Sequence, residues 1–396
     1  MSVRTCAETS RPVAAEFFAG IGLVRMGLEA AGFEVRWSND INPDKHAMYT
    51  GHFRSSNSGH KFVLGDVGRV KGEEMPDDLA VAWASFPCTD LSLAGWRRGL
   101  GGKESGTFWH FTKIMDEMED RRPPVVVLEN VVGLATSHGG EDLAAAIREL
   151  NRLDYSVDVL TLDARRFVPQ SRPRLFLLGA AEPPVDEPQL DDELRPGWLR
   201  APFGDPGLRT HRAALPAPPP LMTAGLSERI EKIPAADERW WDGQRTAAFV
   251  SSLSSIQAAR LEALRKSRAV SYRTAYRRTR GSVAVWEIRP EDVSGCLRTA
   301  RGGSSKQALV KVGGGNVRIR WMTPREYARL MGAQGYRLDG LRRNQALFGF
   351  GDAVCVPVVA WLAGHYLMPL IRGEISGRMW KDDLSQTRRR STSKAW

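Results

Sequence analysis

Through about residue 180 the chain alternates short, continuously apolar runs with helix-patterned stretches, and no other feature constrains the fold as tightly. Strands are expected at Val13–Phe18, Glu34–Ser38, Lys61–Leu64, Ala80–Phe86, Pro124–Glu129, Ser156–Leu162 and Arg174–Gly179. Helix-like stretches lie between them at Leu23–Ala31, Lys45–His52, Thr107–Asp120 and Glu141–Leu153. Runs such as VVVL and LFLL carry no polar alternation, as a strand requires when both faces of a parallel sheet are covered. The pattern predicts an α/β class with a doubly wound, mostly parallel sheet.

From about Glu182 the texture changes. EPPVDEP, RPGW, APFGDPG and ALPAPPPL are rich in Pro and Gly, which break regular elements and mark a boundary or long loops. The stretch from Ser255 to Leu330 holds 17 Lys/Arg and 5 Asp/Glu, a local excess of +12 against +10 for the whole chain. One reading is a solvated helix face. The other, which we favour, is a surface that grips a phosphate backbone. It rests on Tyr272, Tyr276 and Trp286 among the cations and on Gly302, Gly303 and Gly313 to Gly315 as flexible points. Beyond it, Thr323–Met331 reads as a helix with Thr323 as N-cap, Pro324 at its first position and Glu326 completing a capping box. Val354–Leu370 reads as a second apolar helix, and the tail from Arg372, with Arg388 to Arg390, as a mobile basic arm. The expected division is 1–182 for a first domain, 183–317 for a smaller inserted one, 318–371 for a return segment and 372–396 for the tail.

Apolar residues at 42% suffice for a core, and charged residues at 26% are ordinary, which excludes wholesale disorder. Cysteines stand at 6, 88, 296 and 355 with no paired or zinc-like spacing, so free thiols and no metal site are expected. There is no run of eighteen apolar residues and no secretory pattern at the N-terminus. A soluble intracellular protein with no membrane partner is the expectation.

The chemistry-bearing residues fall at strand ends. After the first strand comes Phe17-Phe18-Ala19-Gly20-Ile21-Gly22, where glycines allow the backbone to approach a nucleotide-like ligand, or simply make a tight turn. A third glycine at dinucleotide spacing is missing. Asp40, about twenty residues on, is placed to bind ribose hydroxyls, and Asp66 to reach an amino group or cap a turn. Cys88 follows the fourth strand behind Pro87, with Arg97 and Arg98 close in sequence. Most lone cysteines are buried thiols, but nearby cations favour the nucleophilic thiolate. Glu129 ends the fully apolar fifth strand, where a carboxylate either has a task or caps the turn. A thiol and a carboxylic acid on one sheet edge suit covalent addition to an electron-poor ring. Arg172 and Arg174, at alternate positions entering the last strand, are expected to send one guanidinium to each face, one to the site and one to a structural partner.

These pieces together resemble the cytosine-C5 DNA methyltransferase family. FAGIG resembles its AdoMet-binding loop, PCTDLS its nucleophile loop, ESGTFW the segment that follows, ENV its Glu-Asn-Val, and QSRPR its Gln-x-Arg-x-Arg. RWMTPREYARLMG resembles the helix that closes the target-recognition region, and GFGDAV the final cofactor motif. The motifs keep the family's order and cover about 1–180 and 318–370. The resemblance implies an AdoMet-dependent, Rossmann-like methyltransferase fold whose inserted domain is the target-recognition domain. It implies Cys88 as nucleophile towards C6 of a flipped cytosine, Glu129 at N3, Arg174 at O2, and Asn130 ordering the Pro87–Cys88 loop. Arg172 is included in the catalytic set. Phe18, Ala19, Gly20, Ile21, Gly22, Leu23, Asp40, Ile41, Asp66, Val67, Pro87, Phe108, Asp352, Ala353 and Val354 would line the AdoMet site. The implied partner is double-stranded DNA, bound by a monomer in a prokaryotic cytoplasm, in host modification or defence. The sequence itself names no restriction partner.

Three positions depart from the family pattern. Leu23 stands where many members have Gly, Thr89 where Gln is common, and Asp352 in place of Asn. A carboxylate at 352 either repels the carboxylate of AdoMet or pairs with its ammonium. An RNA-methylating relative is the nearest rival. Its Cys-Phe-Thr signature after Glu-Asn-Val is missing, since Val132-Gly133-Leu134-Ala135-Thr136 follows here, and the insert is long and basic. A catalytically dead DNA-binding module should have lost Cys88, Glu129 or Arg174. A nicotinamide dehydrogenase explains nothing after Phe86.

Overall fold

The structure, a computed structural model, describes residues 11–54, 59–87, 106–187, 193–280, 283–298 and 306–375. Seven strands form where apolar runs predict them: β1 (Val13–Phe17), β2 (Glu34–Asp40), β3 (Lys61–Leu64), β4 (Leu79–Ala84), β5 (Val125–Asn130), β6 (Ser156–Asp163) and β7 (Pro173–Ala180). Their order in the sheet is β3-β2-β1-β4-β5-β7-β6, with β7 alone antiparallel to its neighbours. This is the doubly wound arrangement, in which the order of strands reverses between the parallel β1 and β4 and leaves a crevice at their C-terminal ends.

Helices α1 (Leu23–Ala30), α2 (Pro43–His52), α3 (Thr107–Glu117) and α4 (Glu141–Arg152) link the strands. Successive strand residues point to opposite faces, and the two cores follow that rule. Ala14, Val81, Val125 and Val127 join one with α1, whereas Ala15, Phe17, Val126 and Leu128 join the other with α3 and α4. The helix expected to reach Asp120 stops at Glu117, because Glu119 has a φ of 50°, outside right-handed helical space.

Among its described residues the Pro-rich stretch holds only single helical turns: a 3-10 turn at Gly197–Leu199, α5 (Ala201–Gly204) and α6 (Leu226–Arg229). Residues 193–230 nevertheless belong by packing to the large sheet, since Leu194, Ala213, Leu226 and Ile230 join its first core. They run along the edge strand β6, whose Val157 N–H donates to the Arg209 carbonyl at 3.1 Å and whose Thr161 N–H donates to that of Leu194 at 2.8 Å. Covering the edge leaves less of it open to another chain. Asp158 of β6, fully buried, is held there by Arg195, Tyr366 and the Ala213 N–H.

A second, antiparallel sheet of order β11-β10-β8-β9 is built from β8 (Ser271–Arg280), β9 (Val283–Ile288), β10 (Ala308–Gly313) and β11 (Asn316–Trp321). It packs on α7 (Gly243–Ser251) and α8 (Ser255–Lys266) around Phe249, Leu261, Trp286 and Val310. This core takes up Trp286, one of the aromatics expected at a phosphate surface. Gly313 to Gly315 make the β10–β11 turn, with φ of 135°, 58° and 81°, and Gly314 and Gly315 donate to carbonyls at the end of α8. They are hairpin residues pinned by the backbone, which corrects the reading of them as flexible grips. Gly302 and Gly303 lie outside the described residues.

The chain then returns through α9 (Pro324–Leu330), with Thr323 and Glu326 forming the expected capping box, and through α10 (Arg343–Asp352). The expected single helix over Val354–Leu370 is three pieces: α11 (Val356–Leu362), a π turn at Ala363–Leu367 and α12 (Met368–Ile371). Pro369 lacks an N–H and crowds the preceding turn, so the ladder widens there. The run from Arg343 to Ile371 is apolar and long enough to cross a membrane, but two thirds of its most apolar window is buried, at 67%.

Helix α11 lies against α1 where Gly27 meets Val359. A Cβ on Gly27 would stand 2.5 Å from that of Val359. Alanine is the better helix former, yet Gly27→Ala should lower stability by about 1–3 kcal/mol through overpacking. Denaturant unfolding of both proteins checks this.

Candidate active site at the carboxyl edge of the sheet

The glycine loop after β1 turns through left-handed backbone at Phe18 (φ 58°), Gly20 (57°) and Gly22 (79°). At Gly22 a side chain has no room, since a Cβ would approach the Phe53 ring to 2.5 Å and the Tyr49 ring to 2.7 Å. The loop is tied to β2, where the Gly20 N–H donates to Asp40 Oδ2 at 2.8 Å and the Ala19 N–H to the Asn39 carbonyl at 2.8 Å. Asp40 Oδ1 accepts from the Asn42 N–H, and the Asn39 amide reaches the Val63 and Gly65 carbonyls. The ends of β1, β2 and β3 are thereby fixed relative to one another. Helix α1 starts behind Gly22 with no side-chain cap and no acid in its first turn, which leaves its positive end to a ligand.

Ile41 stands 67% exposed beside Asp40, an apolar face at the mouth of the crevice. Asp66 caps the turn Val67–Arg69 through the Gly68 N–H at 2.9 Å. Ile21, Leu23, Val67, Phe108 and Val354 are buried in the cores.

On the other side of β1 lies the second half of the crevice. The Asn130 amide donates to the Phe86 carbonyl at 3.1 Å and its Oδ1 accepts from the Val131 N–H. Asn130 thereby fixes the start of the loop that leads through Pro87 to Cys88. Cys88, Thr89, Arg97 and Arg98 lie outside the described residues. Glu129, 6% exposed, accepts from Arg174 Nε at 2.9 Å. The antiparallel register pairs Glu129 with Phe176, so Arg174, two residues earlier, shares its face.

Arg172 and Arg174 do diverge, but strand alternation is not the cause, because residues two apart share a face. Arg172 lies in the turn before Pro173, the first residue of β7. It is 2% exposed and donates to the carbonyls of Leu297 (2.7 Å), Gly351 (3.0 Å) and Ala353 (2.8 Å) and to Cys296 Sγ (3.3 Å). Burial, with Arg174 nearby, pulls its guanidinium below the ordinary arginine range. Burial raises the Cys296 thiol, but Arg172, Arg174 and Arg298 outweigh that and leave it below its usual value. Gln170 completes the junction, with its amide on the Leu330 carbonyl and its Oε1 accepting from the Leu297 N–H.

Three contacts bring in residues that had no signal in the sequence. Tyr336 donates to the Ile21 carbonyl at 2.9 Å and stacks on His52 with ring centroids 4.1 Å apart. Lys45, in the first turn of α2, meets Asp352 at 2.8 Å. Behind the loop, Arg25, Tyr49, Ser38 and His60 form a buried polar cluster. Burial pushes Glu16 beside it well above the carboxylate range, against the opposing charge of Arg25.

A profile of the C-5 cytosine-specific DNA methylases matches residues 14–367. The chain belongs to that family. It is similar to the type II methyltransferase M.Bsp6I of Bacillus sp. (strain RFL6), 33% identical over 168 residues, which cover 42% of this chain and 51% of that protein. The chain thus spans about half the length of that relative. It is also similar to M.DsaV of Dactylococcopsis salina, 27% identical over 379 residues, covering 94% and 90%. Among solved structures, the S. pombe Dnmt2 methyltransferase superposes with a TM-score of 0.60 at 17% identity over 91% of this chain and 99% of that one, a likeness of fold.

His52 and His60 are each held down at about 4, mainly by burial and secondarily by Arg337 and Arg25. Unfolded histidine titrates near ~6.5. Above that, both states bind equal numbers of protons and the rings contribute nothing. Between about 6.5 and 4 the unfolded chain takes up protons that the fold refuses, so stability falls as pH falls. Unfolding at pH 7 and pH 5 should differ by about 1–2 kcal/mol per ring, and His60→Gln should show a smaller difference.

Proposed function

We propose that this chain is a DNA (cytosine-5)-methyltransferase that takes its methyl group from AdoMet. The observation that carries the reading is the convergence at one sheet edge of the glycine loop, the Asn130-anchored approach to Cys88 and the Glu129–Arg174 pair. The crevice fits the cofactor by its own features: the crowded, left-handed turn at Gly22, the uncapped start of α1, and exposed Ile41 beside Asp40. Phe18 to Gly22, Asp40, Ile41, Asp66 and the 352–354 turn would hold it, and once bound it supplies an electrophilic methyl group.

The residues divide the remaining work. Cys88 as thiolate adds to C6 of cytosine, and the electron pair of the C5–C6 double bond becomes available at C5 to form the new carbon–methyl bond. Glu129, oriented by Arg174, hydrogen-bonds N3 and favours that addition, while Arg174 supports O2. A base then takes the C5 proton, the double bond re-forms and the thiolate leaves. Because the ring is out of reach within a duplex, the cytosine must be flipped out, at a cost of about a few kcal/mol.

The stretch from 183 to 317 is proposed as the target-recognition domain, and the second sheet, whose strand β11 runs on past that boundary to Trp321, as the reading surface. Residues 193–230 at its start serve the catalytic core. Exposed Arg268, Arg277 and Arg298 are cations offered to phosphates or base edges. A monomer working in a bacterial cytoplasm as part of host modification fits the type II relatives.

Expression in a host without cytosine methylation, followed by mapping of 5-methylcytosine, should reveal methyl groups at one short recurring sequence. Unmodified DNA from a host holding folded, AdoMet-binding protein would overturn the reading. Cys88→Ser should lose turnover by several orders of magnitude while keeping duplex binding in a mobility-shift assay. Near-normal methylation by that variant would refute the covalent step.

A further inference from the structure

Lys45 and Asp352 come from opposite ends of the chain and meet at the rim of the glycine loop. Lys45 Nζ lies 2.8 Å from Asp352 Oδ2, with side chains 21% and 43% exposed. The Lys45 stem passes 4.0 Å from the point where Gly20 would carry a Cβ. A cation and a carboxylate, both reached by solvent, therefore stand side by side at the entrance to the crevice.

As a strut this pair has little to do. Exposed ion pairs contribute little to stability, and α2 is fastened to α10 by other contacts. Arg342 grips Asp44 through both oxygens at 2.7 and 2.9 Å, Gln345 donates to the Asp44 carbonyl at 3.1 Å, and Gly349 packs on Ile21 and Met48. What the pair does offer is a complement to a zwitterion.

We propose that Lys45 and Asp352 together receive the amino-acid end of AdoMet, Lys45 binding its carboxylate and Asp352 its ammonium. The inference rests on the AdoMet reading above and deepens it. Each protein ion exchanges part of its contact with the other for a ligand ion of the same sign as the one it leaves, so charge stays balanced when the site fills. Asp352, a carboxylate where relatives are expected to carry an amide, is tolerated because Lys45 stands beside it. Lys45 is thus a specificity-determining residue for ligands that carry an amino-acid group.

Calorimetric titration of the full chain with AdoHcy and with 5′-methylthioadenosine, which lacks the amino-acid group, tests this without turnover. Lys45→Met should weaken AdoHcy binding about tenfold or more and leave methylthioadenosine binding unchanged. Asp352→Asn should cost less, since its amide oxygen still accepts from the ammonium and the repulsion on the carboxylate is gone. For the same reason the double variant should bind AdoHcy better than Lys45→Met alone. A mere strut predicts equal losses for the two single variants and for both ligands. That pattern, or wild-type AdoHcy affinity in Lys45→Met, would overturn the proposal. A wild type that binds methylthioadenosine but not AdoHcy would overturn it alone, and one that binds neither would overturn the cofactor reading with it.

Discussion

The buried guanidinium of Arg172 is the interaction on which the rest of the molecule depends. It meets the carbonyl of Leu297 on one side and those of Gly351 and Ala353 on the other. Three segments more than fifty residues apart in sequence are thereby held at one point. Carbonyls buried at such a junction are costly to leave unpaired, and the planar fork of arginine satisfies several at once where lysine has a single point charge. The segment before β7 is joined in this way to the end of the insert and to the turn that carries Asp352 to Val354. Two residues further on, Arg174 is delivered to Glu129.

The crevice itself is made from strand ends that cross-link one another before any ligand arrives. Asp40 spends hydrogen bonds on Gly20 and Asn42, Asn39 ties β2 to the loop after β3, and Asn130 holds the Phe86 carbonyl. Polar side chains at the ends of apolar strands are buried here because backbone groups of neighbouring loops need partners. Organisation of this kind reduces the entropy a ligand or reacting base must remove on binding. The same residues therefore stabilise the loops and position the chemistry.

The basic stretch shows how far charge counting reaches. Arg320 is fully buried against Glu326, and Arg265 is paired with Glu262 on α8. Trp286 lies in the core of the second sheet and the Gly313–Gly315 run is a hairpin turn. A surplus of cations in sequence overstates the positive surface, because some of them neutralise local acids or satisfy buried carbonyls. Among the described residues, exposed Arg268, Arg277 and Arg298 remain for a polyanion, whereas exposed Arg278 also faces Glu287 at 3.8 Å.

Local pattern was enough to determine the strand order of events along the chain. Continuous apolar runs require a sheet covered on both faces, and β1 to β7 fall where those runs lie, because burial of VVVL or LFLL admits few alternatives. The capping box at Thr323 and the turn at Gly20 and Gly22 were legible for the same reason, as their physics is contained within a few residues. Glu129 and Asn130 were legible as polar residues ending an apolar strand. What tertiary structure alone decided are the long-range partners: Arg172 with Leu297 and Ala353, Tyr336 with Ile21, Lys45 with Asp352, and the 193–213 strap against β6. Those contacts join residues 33 to 315 positions apart. No periodicity or spacing encodes them, since they depend on which surfaces remain uncovered after the sheet has closed.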